Sequence, residues 1–248
     1  MLNRDENNTI EQQVKANAKH GLDIERMVVD IEHQHVVDQL VSCSKSKYDL
    51  VVSNLALHWM NDLPQVFQNV RAVLKDDGVF LASLFGGQTL RQIREAFIVA
   101  DQERLGGMGM HVSPMTDVQD VGMLLQSAGF TIPTIDTELL TVHYPDLFSA
   151  MQELRLMGES NAIARRQFHE VSKQTMFAAA SAFQALHGLE KVPQHFEKQA
   201  ETDSIVPLTF QVIYLIGWTP HDSQKGSLQR GSAQYSLKDM EKIVNKKS

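Results

Sequence analysis

The stretch YDLVVSNLALHWMNDLPQVFQNVRAVLKDDGVFLASLFGG, residues 48–87, decides the fold. Tyr48 to Ser53 is β-favouring and apolar on both faces, the pattern of a strand buried in a sheet. Leu63, Val66, Phe67, Val70, Val73 and Leu74 then recur at helical spacing, which predicts an amphipathic helix over Asp62–Leu74. Lys75-Asp76-Asp77-Gly78 predicts a turn, and Val79–Leu84 a second strand. Strand, helix, turn and strand in that order predict an α/β domain with a largely parallel sheet.

Outward from this unit the alternation continues. On the N-terminal side, Thr9–Lys19 favours helix with Gly21 as its stop. Met27-Val28-Val29-Asp30 predicts a short strand ending in an acid, and Val36–Val41 a helix with Leu40 on its stripe. On the C-terminal side a helix is predicted over Thr89–Arg104, broken by Gly106-Gly107-Met108-Gly109. Thr116 is the predicted N-cap of a helix over Asp117–Ser127, closed by Gly129. Phe130–Leu139 and Phe210–Trp218 are the remaining strands, separated by a mostly helical insertion from about Asp146 to Leu189. The tail after Pro220 is loop-like, apart from a helical pattern over Ser236–Val244. The expected division is a partial α/β domain over 1–140, the insertion over 141–207, the last strand over 208–220 and a loop-rich tail over 221–248.

Composition narrows the function. Of 248 residues, 43% are hydrophobic, enough to bury a core. The net charge of −7 repels phosphate backbones, so no nucleic-acid partner is expected. The single cysteine, Cys43, forms no internal disulfide and no thiolate metal cage, and a reducing compartment is the natural reading. No apolar run reaches the length of a membrane span; Val206–Trp218 is interrupted by Pro207, Thr209, Gln211 and Gly217. The acidic, polar start MLNRDENNTIEQQ lacks the pattern of a targeting signal.

The Leu-Lys-x-x-Gly step at Leu74–Gly78 before a strand resembles the second half of a class I S-adenosylmethionine-dependent methyltransferase domain. The segments LHWMNDLP, LFGGQTL, HVSPMTDVQDVGMLLQSAGF, MGESNA and IGWTPHDSQ are similar to one branch of it. That branch is the methyltransferase-like assembly factors of mitochondrial respiratory complex I, related to the malonyl-carrier-protein O-methyltransferases. The resemblance runs from Met1 to about Ser236. It implies a Rossmann-like class I methyltransferase fold with a helical insertion before the last strand, and S-adenosylmethionine as cofactor. It implies hydroxylation of an arginine on a complex I subunit, a mitochondrial location on the matrix side, and peripheral association with the inner membrane. The superfamily's D-x-G-x-G turn and the acid after its second strand have no counterpart among the fourteen glycines and their neighbours. The expected fold is therefore N-terminally incomplete, entered after its first two strands. Two alternatives remain open: a small-substrate O-methyltransferase of the malonyl-carrier-protein type, and a truncated, non-catalytic partner-binding form.

Ligands of α/β sheets lie outside the carboxyl ends of the strands. That rule and the resemblance place cofactor contacts at Asp30, Ile31, Ser53, Asn54 and Leu55. His58 is the candidate base or guanidinium-orienting group, and Trp59 either stacks on a guanidinium or plugs the core beneath the next helix. Gly86 and Gly87 either admit a ligand to the backbone or serve a positive-φ turn. In the insertion Glu159 is the candidate partner of a guanidinium, with Ser160 and Asn161 orienting it and Arg165 and Arg166 following. The alternative is a plain break between helices with Ser160 as cap. No metal site is expected: His195-x-Glu197 with His221, and His33 with His35, match ligand spacing only in the way that ten histidines do by chance. Lys242, Lys246 and Lys247 form a short basic tail.

Overall fold

A computed structural model describes residues 26–33, 35–44, 46–163, 171–188, 205–226 and 231–232. The expected helices over 9–19 and 236–244, Arg165, Arg166, His195, Glu197 and the lysine tail lie outside these residues, as does the side chain of Cys43.

Helix α1 (Val36–Ser44) precedes β1 (Tyr48–Asn54), a 3-10 turn (Leu57–Trp59), α2 (Leu63–Val73) and β2 (Leu74–Phe85). Then come α3 (Arg91–Leu105), α4 (Val118–Ser127), β3 (Thr131–Tyr144), α5 (Leu147–Leu156), α6 (Lys173–His187) and β4 (Val206–Trp218). Asp62 starts α2 by accepting the Gln65 N–H at 3.0 Å, with Pro64 in the first turn, where its missing N–H costs nothing. Asp117, rather than Thr116, occupies the N-cap position of α4. Gly129 follows α4 at φ +84°, the left-handed conformation that releases the chain toward β3.

The described strands are ordered β1-β2-β4-β3. Only β1 and β2 run parallel, with Val51 opposite Phe80; β4 pairs antiparallel with both β2 and β3. The largely parallel sheet expected from strand–helix alternation is thus corrected to a mixed one. The chain returns through the insertion and threads β4 between two strands already laid down. Met27–Asp30 is also corrected: it is irregular, with Val28 fully exposed. A strand needs a neighbour for its backbone groups, and none of the described strands lies beside it. Lys75–Gly78 falls within β2 as an irregularity rather than a free turn, with Asp77 at φ +61° and the β1 register shifting between Tyr48 and Leu50.

Two cores flank the sheet. One, under α2 and α4, holds Phe67, Phe80, Leu84, Leu125, Phe130, Ile213 and Leu215. Phe67 meets Phe80 edge-on at 5.4 Å, and each such buried ring contributes about 1.5–3 kcal/mol. The other gathers α3, α5 and α6 on the opposite side, through Phe97, Ala100, Leu147, Leu154, Phe183, Leu208 and Phe210. The start of α3 is stitched to β4: Gln92 and Thr209 exchange hydrogen bonds of 2.6 and 3.1 Å, and the Leu90 N–H donates to the Thr209 carbonyl at 2.8 Å. This stitching fixes one wall of the space described next.

Candidate functional site

After β1 the chain reverses at Leu55, φ +47°, whose N–H donates to the Ser83 carbonyl at 3.0 Å. The 3-10 turn that follows brings the His58 side chain inward until it is 3% exposed, 4.7 Å from the Phe85 ring. Its partner arrives from the far side of the sequence. Helix α5 ends in a two-bond left-handed stop: the Gly158 N–H donates to the Arg155 carbonyl at 3.2 Å and the Glu159 N–H to Leu154 at 2.8 Å. Gly158 takes φ +83°, a conformation costly for any other residue, and so turns Glu159 back toward the fold. The Glu159 carboxylate, 17% exposed, lies 3.2 and 3.3 Å from His58 Nε2.

An ionised carboxylate only accepts, so Nε2 is the donor of this pair, and in the neutral imidazole Nδ1 keeps a lone pair. Nδ1 is buried and has no hydrogen-bond partner among the described residues. Both residues line a cavity of about 240 Å³, walled by Phe85, Ile93, Phe97 and Phe210. Trp59, Ser160 and Asn161 line it as well. Trp59 is 38% exposed, with its ring 5.6 Å from that of His58, so it does not plug the core. Asn161 is occupied in holding the segment: its Nδ2 donates to the Met110 carbonyl at 2.9 Å and its Oδ1 accepts the Ile163 N–H at 3.0 Å. Ser160 is exposed and caps no described helix.

The strand-end positions do not join this group. The Asp30 carboxylate accepts the Glu32 N–H at 3.1 Å within an exposed turn. Ile31 lines a different cavity of about 250 Å³, apolar, with Val36, Tyr48 and Val51. Asn54 accepts the Ser83 hydroxyl at 2.6 Å, and neither Ser53, Asn54, Leu55 nor Asp30 lines either cavity. Of these five positions only Ile31 lines either cavity. Gly86 and Gly87 have a different reason from either one expected. Neither has a positive φ, and a Cβ at Gly86 would lie 2.6 Å from Gln211 Oε1, at Gly87 2.6 Å from Asp117 Oδ1. They are glycines because side chains of this same chain pack on them. Among the described residues, no three His, Cys, Asp or Glu side chains converge for a metal ion.

Sequence reasoning missed a second imidazole–carboxylate pair. Asp101, fully buried on α3, takes His111 Nε2 at 2.8 Å and the Gly109 N–H at 2.8 Å. His111 stacks on Phe97 at 4.2 Å and lines the same cavity. The available signal was an acid on the apolar stripe Ile93, Ala96, Phe97, Ala100, where a solvated carboxylate has no place. A third acid, Glu32, accepts the backbone N–H groups of Asp62 and Asn61 at the start of α2. The Asp62 bond, more than the others, holds its carboxyl below the usual value of 4.5.

A methyltransferase domain family matches residues 8–135. The chain belongs to that family. S-adenosylmethionine is the cofactor of that family at large, and the mixed α/β sheet is that family's Rossmann-like fold. The match ends before Glu159, so the His58–Glu159 pair joins the family domain to the segment beyond it. The chain is 44% identical over 197 residues to the mitochondrial arginine-hydroxylase NDUFAF5 of Dictyostelium discoideum, covering 79% of this chain and 42% of that one. It is 40% identical over 208 residues to the human protein of the same name, covering 84% and 56%. A malonyl-[acyl-carrier protein] O-methyltransferase of Nitrosospira multiformis is 34% identical over 171 residues, 69% of this chain and 49% of that one. The chain spans about half the length of these curated relatives. A Bacillus halodurans crystal structure superposes with a TM-score of 0.49 at 12% identity, over 89% of this chain and 81% of that one, too loosely to bear on function.

Proposed function

We propose that this chain acts on arginine: a methyltransferase-domain assembly factor that hydroxylates an arginine of a complex I subunit in mitochondria. The observation that carries the reading is Glu159, a largely buried carboxylate lining an aromatic-walled cavity beside His58, whose Nδ1 has no partner among the described residues. A guanidinium is planar, cationic and composed only of donors, so it complements those groups together. Glu159 takes its paired N–H groups, His58 Nδ1 takes another, and Trp59 or Phe85 offers a ring face. Identity of 40–44% to relatives named arginine hydroxylases supports the same direction. A malonyl carboxylate would meet Glu159 as a like charge and Arg155, which lines the same cavity, as an opposite one. The choice between the two therefore rests on identity, which to that branch is lower, at 34%.

The complex I subunit as partner, the matrix side of the inner membrane and peripheral membrane association belong to this proposal through family resemblance. No described helix is long and apolar enough to cross a membrane. Use of S-adenosylmethionine by this chain belongs here too, with Asp30, Ile31, Ser53, Asn54 and Leu55 as the positions that resemblance assigns to it.

Hydroxylation turns a C–H bond into C–OH, a two-electron oxidation that takes its oxygen atom from an external oxidant of the dioxygen or peroxide class, so the product is heavier by that atom. The test is mass spectrometry of complex I arginines in cells that lack the gene and in cells given it back with Glu159→Gln. Loss of the oxygen-bearing arginine in both is the expected result. A modification that persists in the deleted cells overturns the proposal.

A further inference from the structure

The cavity shares a wall with a second space. His58, Trp59 and Ser113 bound the cavity on one side and, on the other, an open groove of about 760 Å³. The two volumes admit different things. The cavity, at about 240 Å³, lies below the ~300–1,000 Å³ that encloses a drug-sized molecule, so it receives one side chain and no length of backbone. Whatever carries that side chain must lie outside, and the groove is what lies outside.

The groove is apolar where it is most exposed. Met110 and Met123, 54% and 60% exposed, face it together with Met60 and Leu63. Exposed apolar residues are ordinarily scattered singly, and their convergence on one groove marks a contact surface. Methionine is unbranched and polarizable, and adapts to neighbours of varied shape. Asp120 is the only carboxylate or permanent cation among the described lining residues, which argues against a phosphate-bearing occupant and for one that is neutral or basic. Ser113 and Thr116 set hydroxyls along the wall, suited to the unpaired N–H and C=O groups of an extended backbone; a helix satisfies its own.

We propose that this groove holds the substrate polypeptide as an extended segment, apolar on either side of the arginine whose side chain enters the cavity. The inference rests on the arginine reading above. It adds that recognition spreads over the residues flanking the arginine, and that neutral or basic flanks bind better than acidic ones.

Fluorescence anisotropy with the full chain tests it. One probe is labelled arginine amide. The other is a labelled eleven-residue peptide with arginine at the centre, leucine and valine on either side of it, and serine and glycine at the ends. The peptide is expected to bind at least about tenfold more tightly than the amide. Met123→Glu combined with Met110→Glu, both at exposed positions, is expected to erase most of that gain. Asp120→Lys is expected to reverse the preference between lysine-flanked and glutamate-flanked peptides. Equal binding of long and short probes, or a length gain that survives the double substitution, overturns the groove while leaving the arginine reading intact. A peptide with alanine at its centre that binds as well as the arginine peptide sinks the arginine reading and leaves the groove. Sedimentation that finds a dimer, dispersed by the double substitution, would make a second copy of the chain the occupant and overturn the proposal.

Discussion

Asn54 and His58 are four positions apart, yet they belong to opposite kinds of surface. At the end of β1 the polar groups close on the chain itself: Asn54 with the Ser83 hydroxyl and the Leu55 N–H with the Ser83 carbonyl, as Asp30 does with the Glu32 N–H in the turn before α1. In the cavity the side chains close on one another and still leave His58 Nδ1 over, buried and without a partner among the described residues. Hydrogen-bonded polar side chains are common to both places. The leftover atom is not, and it is the better pointer to where a ligand is met.

The contrast is broken or sharpened most strongly at Glu159. Glu159→Ala should weaken binding of the arginine peptide by on the order of 30-fold or more, the cost of about 2–5 kcal/mol for removing one side of a desolvated charge pair. Thermal stability should change little, and a fall in melting temperature with peptide binding intact would erase the distinction. Next comes Asn69, 4% exposed, whose Nδ2 donates to the Ile31 and His33 carbonyls at 2.8 and 3.2 Å. Asn69→Ala should cost about 1–3 kcal/mol in urea unfolding by orphaning those groups, with peptide affinity unmoved.

Gly158→Ala tests the bend itself. Nothing lies within 4 Å of the Cβ position, so the substitution acts only through φ +83°, at about 1–2 kcal/mol. Peptide binding should fall with it, because the bend aims Glu159; retained binding would show that the carboxylate finds His58 without that turn. Asn54→Ala should cost only about 0.5–1.5 kcal/mol and leave peptide binding as it was. A binding loss equal to that at Glu159 would make the strand end part of the same site.

The smallest effect is acid dependence at Glu32. Its folded pKa is lowered, so its contribution to stability is present above the unfolded value of 4.5 and lost as pH falls below that value through the folded one. Glu32→Gln should therefore flatten the stability profile below about pH 4.5. An unchanged profile would exclude this carboxylate as the clasp between residues 30–33 and α2.

Much of the local structure was legible because its causes are local. The α2 stripe and the Gly129 stop each depend on residues within a turn or two of one another. The place of β4 between β2 and β3 does not, since its pairing partners are scattered from Val79 to Tyr144. The same limit applies to the site. His58 and Glu159 each stand out by residue type, but their meeting across 101 positions is a property of the assembled fold. Asp101 was hidden because an acid within an apolar stripe reads as an interruption, until His111 is found to face it.

That placement of β4 has a consequence for how the chain is made. Val206, Leu208, Phe210 and Val212 belong to the core beside the cavity, and Ile213 and Leu215 to the core beneath α2 and α4. Until a ribosome has released those residues, β2 and β3 face each other across an empty lane, each with an open edge and neither core complete. One late strand closes both at once. A chain cut short before Val206 would leave both edges bare and be a substrate for chaperones and proteases rather than a smaller version of the same molecule.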